Sequence, residues 1–174
     1  MNPFDKPVFN KPRKQNKKPT GNHRFKSNRE YNAKQSIVEL NSADSLMLVR
    51  VNGIGPVLSS RIIKYRNMLG GFVNVDQLME VYGMDSTWFQ TMKPSIVADS
   101  AQVSKISINS ITQPDLERHP YFGKNVARAI LNYRQQHGAF TSIDELLKLY
   151  LVDDELLQKI KPYIVIEVVE AVDG

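Results

Sequence analysis

Apolar and polar positions between residues 37 and 168 recur with a helical period and are interrupted at short intervals by turn residues. Leu58, Ile62, Tyr65 and Leu69 follow one another three or four residues apart after Pro56. Val126, Ile130 and Tyr133 do the same after Gly123. That spacing puts each set on one stripe of a helix and turns Arg61, Lys64 and Arg128 elsewhere. Burying each such Leu or Ile contributes roughly 1.5 to 3 kcal/mol, so the stripes read as core and need no ligand to explain them. Stop and start signals set the ends. Asn41 or Ser42 is placed to cap a helix running to about Arg50, and Pro56 opens a second helix that Gly70 and Gly71 end near Leu69. Asn74 with Gln77 forms a capping box for a third, stopping near Gly83, and Asp85 caps a fourth that Pro94 closes. Trp88 and Phe89 are assigned to the core.

The same pattern then returns 68 residues later without a gap. Asn41, Arg50, Gly55, Tyr65, Arg66, Gly70, Phe72, Lys93 and Pro94 reappear as Asn109, Arg118, Gly123, Tyr133, Arg134, Gly138, Phe140, Lys161 and Pro162. Across 40–97, 19 of 58 positions are identical, which marks a duplication. The organisation that follows is a basic tail over 1–36, one repeat over 37–99, a second over 105–168 and a short acidic end over 169–174. The segment Asp99 to Lys105 is short enough for the repeats to pack together.

Charge is divided unevenly between these parts. Ten of the 23 Lys and Arg and only two of the 18 Asp and Glu lie in residues 1–35, leaving 13 and 16 in the remainder. Attraction to a polyanion must therefore come from the tail or from local patches, because the repeats carry a net negative charge. The tail lacks apolar periodicity and is expected to be disordered, with Phe4, Phe9, Phe25 and Tyr31 available to stack on bases. The absence of cysteine excludes disulfides and thiolate metal sites. His23, His119 and His137 do not have metal-ligand spacing, and no cofactor motif is present. No apolar run is long enough to span a bilayer or serve as a signal peptide, so an intracellular protein is expected.

The chemistry that stands out is Val51-Asn52-Gly53-Ile54-Gly55-Pro56, a turn between two helices with two glycines and a proline at the next helix start. Glycines leave the backbone uncovered, so the amides of Ile54, Gly55 and the following turn can approach a phosphate, with the positive helix end behind them. Pro56 lacks an amide hydrogen, so Val57, Leu58 or Ser59 supplies donors from the helix start. Arg61 and Lys64 lie further along for neighbouring phosphates.

These residues, with the I-x-x-Y-R helix, the G-x-F turn and the closing Lys-Pro, resemble the helix-hairpin-helix superfamily and in particular its ComEA-like competence DNA receptors. The resemblance covers both repeats. It implies an all-α fold of two tandem helix-hairpin-helix bundles, SAM-like in arrangement. It also implies binding of double-stranded DNA by backbone contact without base reading, in a competence, repair or recombination role of the bacterial type. The expected contact residues are Gly53, Ile54, Gly55, Val57, Ser59, Ser60, Arg61 and Lys64 in the first repeat, and Gly123, Lys124, Asn125 and Arg128 in the second. The second hairpin departs from the pattern, with Tyr121-Phe122-Gly123-Lys124 in place of Gly-Ile-Gly-Pro. His119 beside it is expected to pack or to face phosphate. The later turns, Tyr82-Gly83-Met84-Asp85 and Leu151-Val152-Asp153-Asp154, read as degenerate hairpins with a structural role. Competence uptake itself is implied only if this chain is a fragment, since a basic tail stands where that receptor has a membrane anchor.

Lyase-type glycosylases of the superfamily carry a lysine two positions after the second glycine. Val57 and Asn125 stand there, and neither can form a Schiff base, so no catalysis is expected. The alternative function is a protein-interaction scaffold, as in helical modules of type II secretion, which the acidic repeats favour. Other roles for the shared residues are structural: the hairpin glycines as turn residues, Arg66 and Arg134 paired with Glu80 or Asp144, Lys93 and Lys161 neutralising helix ends.

Overall fold

Asp44 starts the first helix. In a computed structural model that describes residues 37–167, its carboxylate accepts the Met47 amide at 2.7 Å and caps α1, Ser45–Val49. The start expected at Asn41 or Ser42 is too early, because Asn41 is engaged elsewhere. Its Nδ2 donates to the carbonyls of Phe72 and Asp99, both at 2.9 Å, and its Oδ1 accepts the Phe72 amide at 2.7 Å. The expected tail and acidic end lie outside the described residues.

The other ends follow their local signals. Helix α2 spans Pro56–Leu69 and closes on Gly70, whose φ of +84° suits glycine and whose amide returns to the Arg66 carbonyl. Asn74 and Gln77 form the expected capping box on Val75–Glu80, which winds as a 3₁₀ helix. Asp85 caps α3, Ser86–Met92, and Pro94 falls in a closing 3₁₀ turn, Lys93–Ser95. The second repeat runs in the same order: α4 Gln113–Arg118, α5 Gly123–His137, a 3₁₀ helix Ile143–Lys148, and α6 Asp154–Ile160.

One feature adds to the all-helical expectation. Each repeat clasps its own two ends in a parallel bridge two residues long: β1 Val38–Glu39 with β2 Ile96–Val97, and β3 Ile106–Ser107 with β4 Ile164–Val165. The register, Val38 to Ile96 and Ile106 to Ile164, repeats the 68-residue shift of the sequence.

Ile62, Leu69, Phe72 and Leu78 are fully buried in the first core, as are Ile130, Phe140 and Leu146 in the second. Leu58 and Tyr65 only flank the first core. Trp88 is 55% exposed, against expectation. α3 is two turns long and turns Phe89 and Met92 inward; Trp88, about 100° round from Phe89, faces out. The two repeated arginines do not meet Glu80 or Asp144. Arg66 donates from Nη1 to the carbonyls of Leu40 and Ala43, at 2.8 and 2.7 Å, and Arg134 to that of Ile111 at 2.9 Å. Each ties the long helix to the backbone ahead of the first one.

The repeats pack through aromatic side chains of the second. Tyr163 is fully buried in the core of the first repeat, where its hydroxyl accepts from Gln77 Nε2 at 2.7 Å and donates to the Gly71 carbonyl at 3.1 Å. Tyr121 accepts from the same Nε2 at 2.8 Å and donates to Glu80 Oε2 at 2.8 Å, an oxygen that also accepts the Tyr65 hydroxyl. Burial, with the Glu80 carboxylate adding to it, holds the Tyr65 and Tyr121 phenols well above their ordinary range. His119 sits among Tyr121, Phe122 and Tyr163, edge to face, with ring centroids 5.0 to 5.5 Å away.

Candidate functional site

Four turns in the two repeats share one backbone bond. The amide of Ile54 donates to Val51 O at 3.0 Å, Met84 to Val81 at 3.0 Å, Phe122 to His119 at 3.2 Å and Val152 to Leu149 at 2.9 Å. Each repeat therefore holds two hairpins, and the later turns keep this geometry despite their altered sequence. What separates the four is how the helix start beyond each turn is used.

In both later hairpins an aspartate fills the place an anion would take. Asp85 Oδ1 accepts the amides of Thr87 and Trp88 at 2.9 and 3.1 Å, and Asp153 accepts that of Leu156 at 2.8 Å. These helix starts are self-capped, and a phosphate would meet a carboxylate there. The structural role expected of these turns has this physical basis.

The earlier hairpin of the second repeat is folded into the contact between repeats. Tyr121, at the position of Gly53, reaches Gln77 and Glu80, and His119, at the position of Val51, is 2% exposed. The Gly123 amide, expected to face phosphate, turns back to the His119 carbonyl at 3.4 Å. Lys124, Asn125 and Arg128 remain exposed.

The hairpin at Gly53 to Pro56 is different. Gly53 has φ +96°, and a Cβ there would press on the Trp88 ring at 3.3 Å, so the turn itself requires glycine. Gly55 has φ −87° and ψ 174°, open to any residue, and a Cβ would meet nothing within 4 Å. The fold thus gives no reason for glycine at 55. No side chain caps α2, so the Val57 and Leu58 amides, which the helix cannot use, lie beside an uncovered backbone.

The remaining expected contacts divide. The Ile54 side chain is buried and its amide is spent on Val51, so it offers no donor. Ser59 is fully buried, its amide bonded to Gly55 O and its hydroxyl to Ser45 across α1, so it is a packing residue. Arg61 donates to Tyr82 O at 3.1 Å and lies over the Tyr82 ring at 4.7 Å, which ties it to the later turn. Ser60 and Lys64 are exposed and border a groove toward the second repeat.

His119 also borders that groove, and sequence reasoning missed its state. Its Nδ1 accepts the Tyr121 amide at 3.2 Å, and burial pushes its pKa down to about 4. The ring is therefore neutral with its proton on Nε2. That nitrogen is buried and has no hydrogen-bond partner among the described residues; the Leu69 carbonyl favours protonation without reaching bonding geometry.

Paired hairpins, each joining two short helices, built twice in one chain, define a tandem helix-hairpin-helix protein. The model of the helix-hairpin-helix motif family matches residues 33–97 and again 101–165, and the chain belongs to that family. Among curated proteins it is similar to endonuclease/exonuclease/phosphatase family domain-containing protein 1 of Danio rerio, 26% identical over 76% of this chain and 28% of the relative. The human protein of that name is 23% identical over 73% of this chain and 27% of its own length. ComE operon protein 1 of Bacillus subtilis (strain 168) is 27% identical over 42% of this chain and 36% of its own, in keeping with the ComEA-like resemblance. The chain thus spans about a third or less of the relatives it matches. Among the described residues no helix is long and apolar enough to cross a membrane.

Proposed function

We propose that this chain binds double-stranded DNA without sequence preference, as a non-catalytic module in a competence, repair or recombination setting. The first hairpin contacts phosphates through the Gly55, Val57 and Leu58 amides. The observation that carries this reading is Gly55: a glycine where backbone and packing would admit any side chain, at the one α-helix start among the described residues that is neither capped by a side chain nor folded into the repeat contact. What a Cβ would obstruct there is something arriving from solvent. Ser60 and Lys64 extend the contact along α2, while Lys124 and Arg128 offer weaker support from the second repeat. The basic residues of 1–35 add long-range attraction that the acidic repeats lack. The proposed contacts are backbone amides and side chains directed at phosphates, which position the duplex and carry no sequence information.

The test is Gly55→Asp in the full chain, followed by fluorescence anisotropy with duplex DNA over a salt series. An Asp at this position caps α2, so the fold should be as stable or slightly more so. DNA affinity should nevertheless fall at least about tenfold, or 1.4 kcal/mol. With about six phosphate contacts the wild-type plot of log K against log salt should slope near −5. Unchanged affinity would assign DNA binding to the basic tail and leave the repeats as a protein scaffold, the reading that their acidic excess favours.

A further inference from the structure

The first hairpin has an apolar neighbour that its phosphate contact does not use. Trp88 is 55% exposed and is no part of the first core, to which Phe89 and Met92 of the same helix belong. Its ring lies instead against the hairpin. A Cβ on Gly53 would stand 3.3 Å from Trp88 Cε3 and 3.4 Å from Met92 Cε, so the indole packs on backbone that only glycine leaves bare. Gly53, Gly55, Pro56 and Val57 are all exposed, which makes the ring and the turn one continuous surface.

The second repeat shows the same position beside a closed hairpin. Tyr121 stands at the position of Gly53, and Leu156, at the position of Trp88, is partly buried against the second core. Packing therefore accounts for Leu156. It does not account for Trp88, a larger side chain that is usually well buried and here turns much of its apolar surface to solvent. Tyr82, 81% exposed, is a different case, because its counterpart Tyr150 is fully exposed as well and that position does not separate the repeats. The exposed indole goes with the open hairpin.

The place of the ring narrows what covers it. A phosphate on the Gly55, Val57 and Leu58 amides brings its strand to the turn, and successive nucleotides follow at about 3.4 Å each. The bases of a duplex are stacked inside, so the apolar group that the strand presents beside each phosphate is deoxyribose. That ring is common to every nucleotide and carries no sequence information.

We propose that Trp88 supplies the non-ionic part of the DNA contact, its indole packing on the deoxyribose next to the phosphate held at the first hairpin. The assignment rests on the hairpin reading above and adds to it a contact that salt does not weaken.

Trp88 is the single tryptophan of the chain, so its emission reports this contact directly. The full chain is titrated with labelled blunt duplex DNA, and tryptophan emission and DNA anisotropy are followed together over a salt series, for the wild type, Trp88→Leu, Trp88→Phe and Gly55→Asp. Wild-type emission should move to shorter wavelength in step with binding, as the indole leaves water. Trp88→Leu installs the second repeat's residue at an exposed helix position, which the fold tolerates. It should bind about fivefold more weakly at every salt concentration, the lower end of what one aromatic contact with a nucleotide contributes, with the slope of log K against log salt unchanged. Trp88→Phe keeps a flat ring and should recover most of that loss. Binding without a change in emission, a Trp88→Leu chain that binds as the wild type does, a loss that alters the slope, or a Trp88→Phe chain as weak as Trp88→Leu overturns the assignment and leaves the hairpin reading standing. A Gly55→Asp chain that binds as tightly as the wild type removes the hairpin reading and this one with it.

Discussion

Where the first repeat has Val51, Gly53 and Ser95, the second has His119, Tyr121 and Tyr163, and all three replacements face the first repeat. The frame of the two copies is otherwise shared. Asn41 and Asn109 bond the Phe72 and Phe140 backbones in the same way, and Arg66 and Arg134 both reach carbonyls ahead of the first helix. Gln77 and Glu145 accept equivalent amides, from Val73 and Thr141, but only the amide side chain has a donor to spare for Tyr121 and Tyr163. Duplication therefore left one hairpin open and used the other as a brace, and the division is written in a handful of side chains. An aromatic residue at the first glycine of a hairpin closes it, since that position sets whether the turn faces solvent or a neighbour.

Exchanging residues between the copies is the direct way to break this division. Tyr163→Ser, which installs the first repeat's residue, should have the largest effect. It removes a fully buried aromatic ring from the first core and leaves Gln77 with one partner fewer, a loss of about 3 to 5 kcal/mol. Urea denaturation should show a lower midpoint and separate transitions for the two repeats. A single transition displaced by less than about 1 kcal/mol would mean that the repeats do not depend on this contact.

Acid should act on the same contact through His119. Above pH 6.5 its ring is neutral in folded and unfolded chains alike. Between 6.5 and about 4 the unfolded chain takes up a proton that the folded chain, with the ring buried, does not, so stability falls as pH falls. At the low end this amounts to about 3 kcal/mol at most. His119→Val, again the first repeat's residue, should flatten that part of the profile between pH 6.5 and 5, before most carboxylates titrate. Thermal unfolding at several pH values reads the difference between the two proteins, and parallel profiles would show that the ring is not held neutral.

What could be read from the sequence were features set by neighbouring residues. The Asn74 and Gln77 box, the Asp85 cap and the span Pro56–Leu69 each depend on residues within a turn of one another, and each is where the pattern placed it. The roles of Asn41 and Arg66 were hidden because their partners lie 31 and 58, and 26 and 23, residues away, and a polar residue near a helix start looks like a cap. Trp88 was hidden for a different reason: in a helix of two turns, adjacent aromatics give no period from which to choose the buried one. The difference between Gly53 and Gly55 needed backbone angles, since in sequence both are hairpin glycines. The short segment from Asp99 to Lys105 pointed to packing between the copies, but not to Tyr121 and Tyr163 as the residues that make it.

The smallest expected effect tests whether self-capping is what keeps the later hairpins out of DNA contact. Asp85 stands where Gly55 stands in the earlier hairpin, and the two turns are neighbours, since Trp88 of α3 packs beneath Gly53. Asp85→Gly should cost only a few tenths of a kcal/mol, because glycine is itself an acceptable residue at a helix start. It removes a carboxylate from beside the open hairpin and frees the Thr87 and Trp88 amides that the carboxylate now holds. Both changes favour a phosphate, and helix-end charges of this kind are worth roughly 0.3 to 1 kcal/mol, so duplex affinity should rise about twofold to fivefold at low salt. Asp153→Gly, on the braced repeat, should change affinity less, because its hairpin neighbour at Tyr121 is closed. A gain for Asp85→Gly larger than that for Asp153→Gly would place the DNA on the first repeat by a substitution that adds contact, independently of those that remove it. Equal gains would indicate general charge reduction and would separate the open hairpin from the binding face.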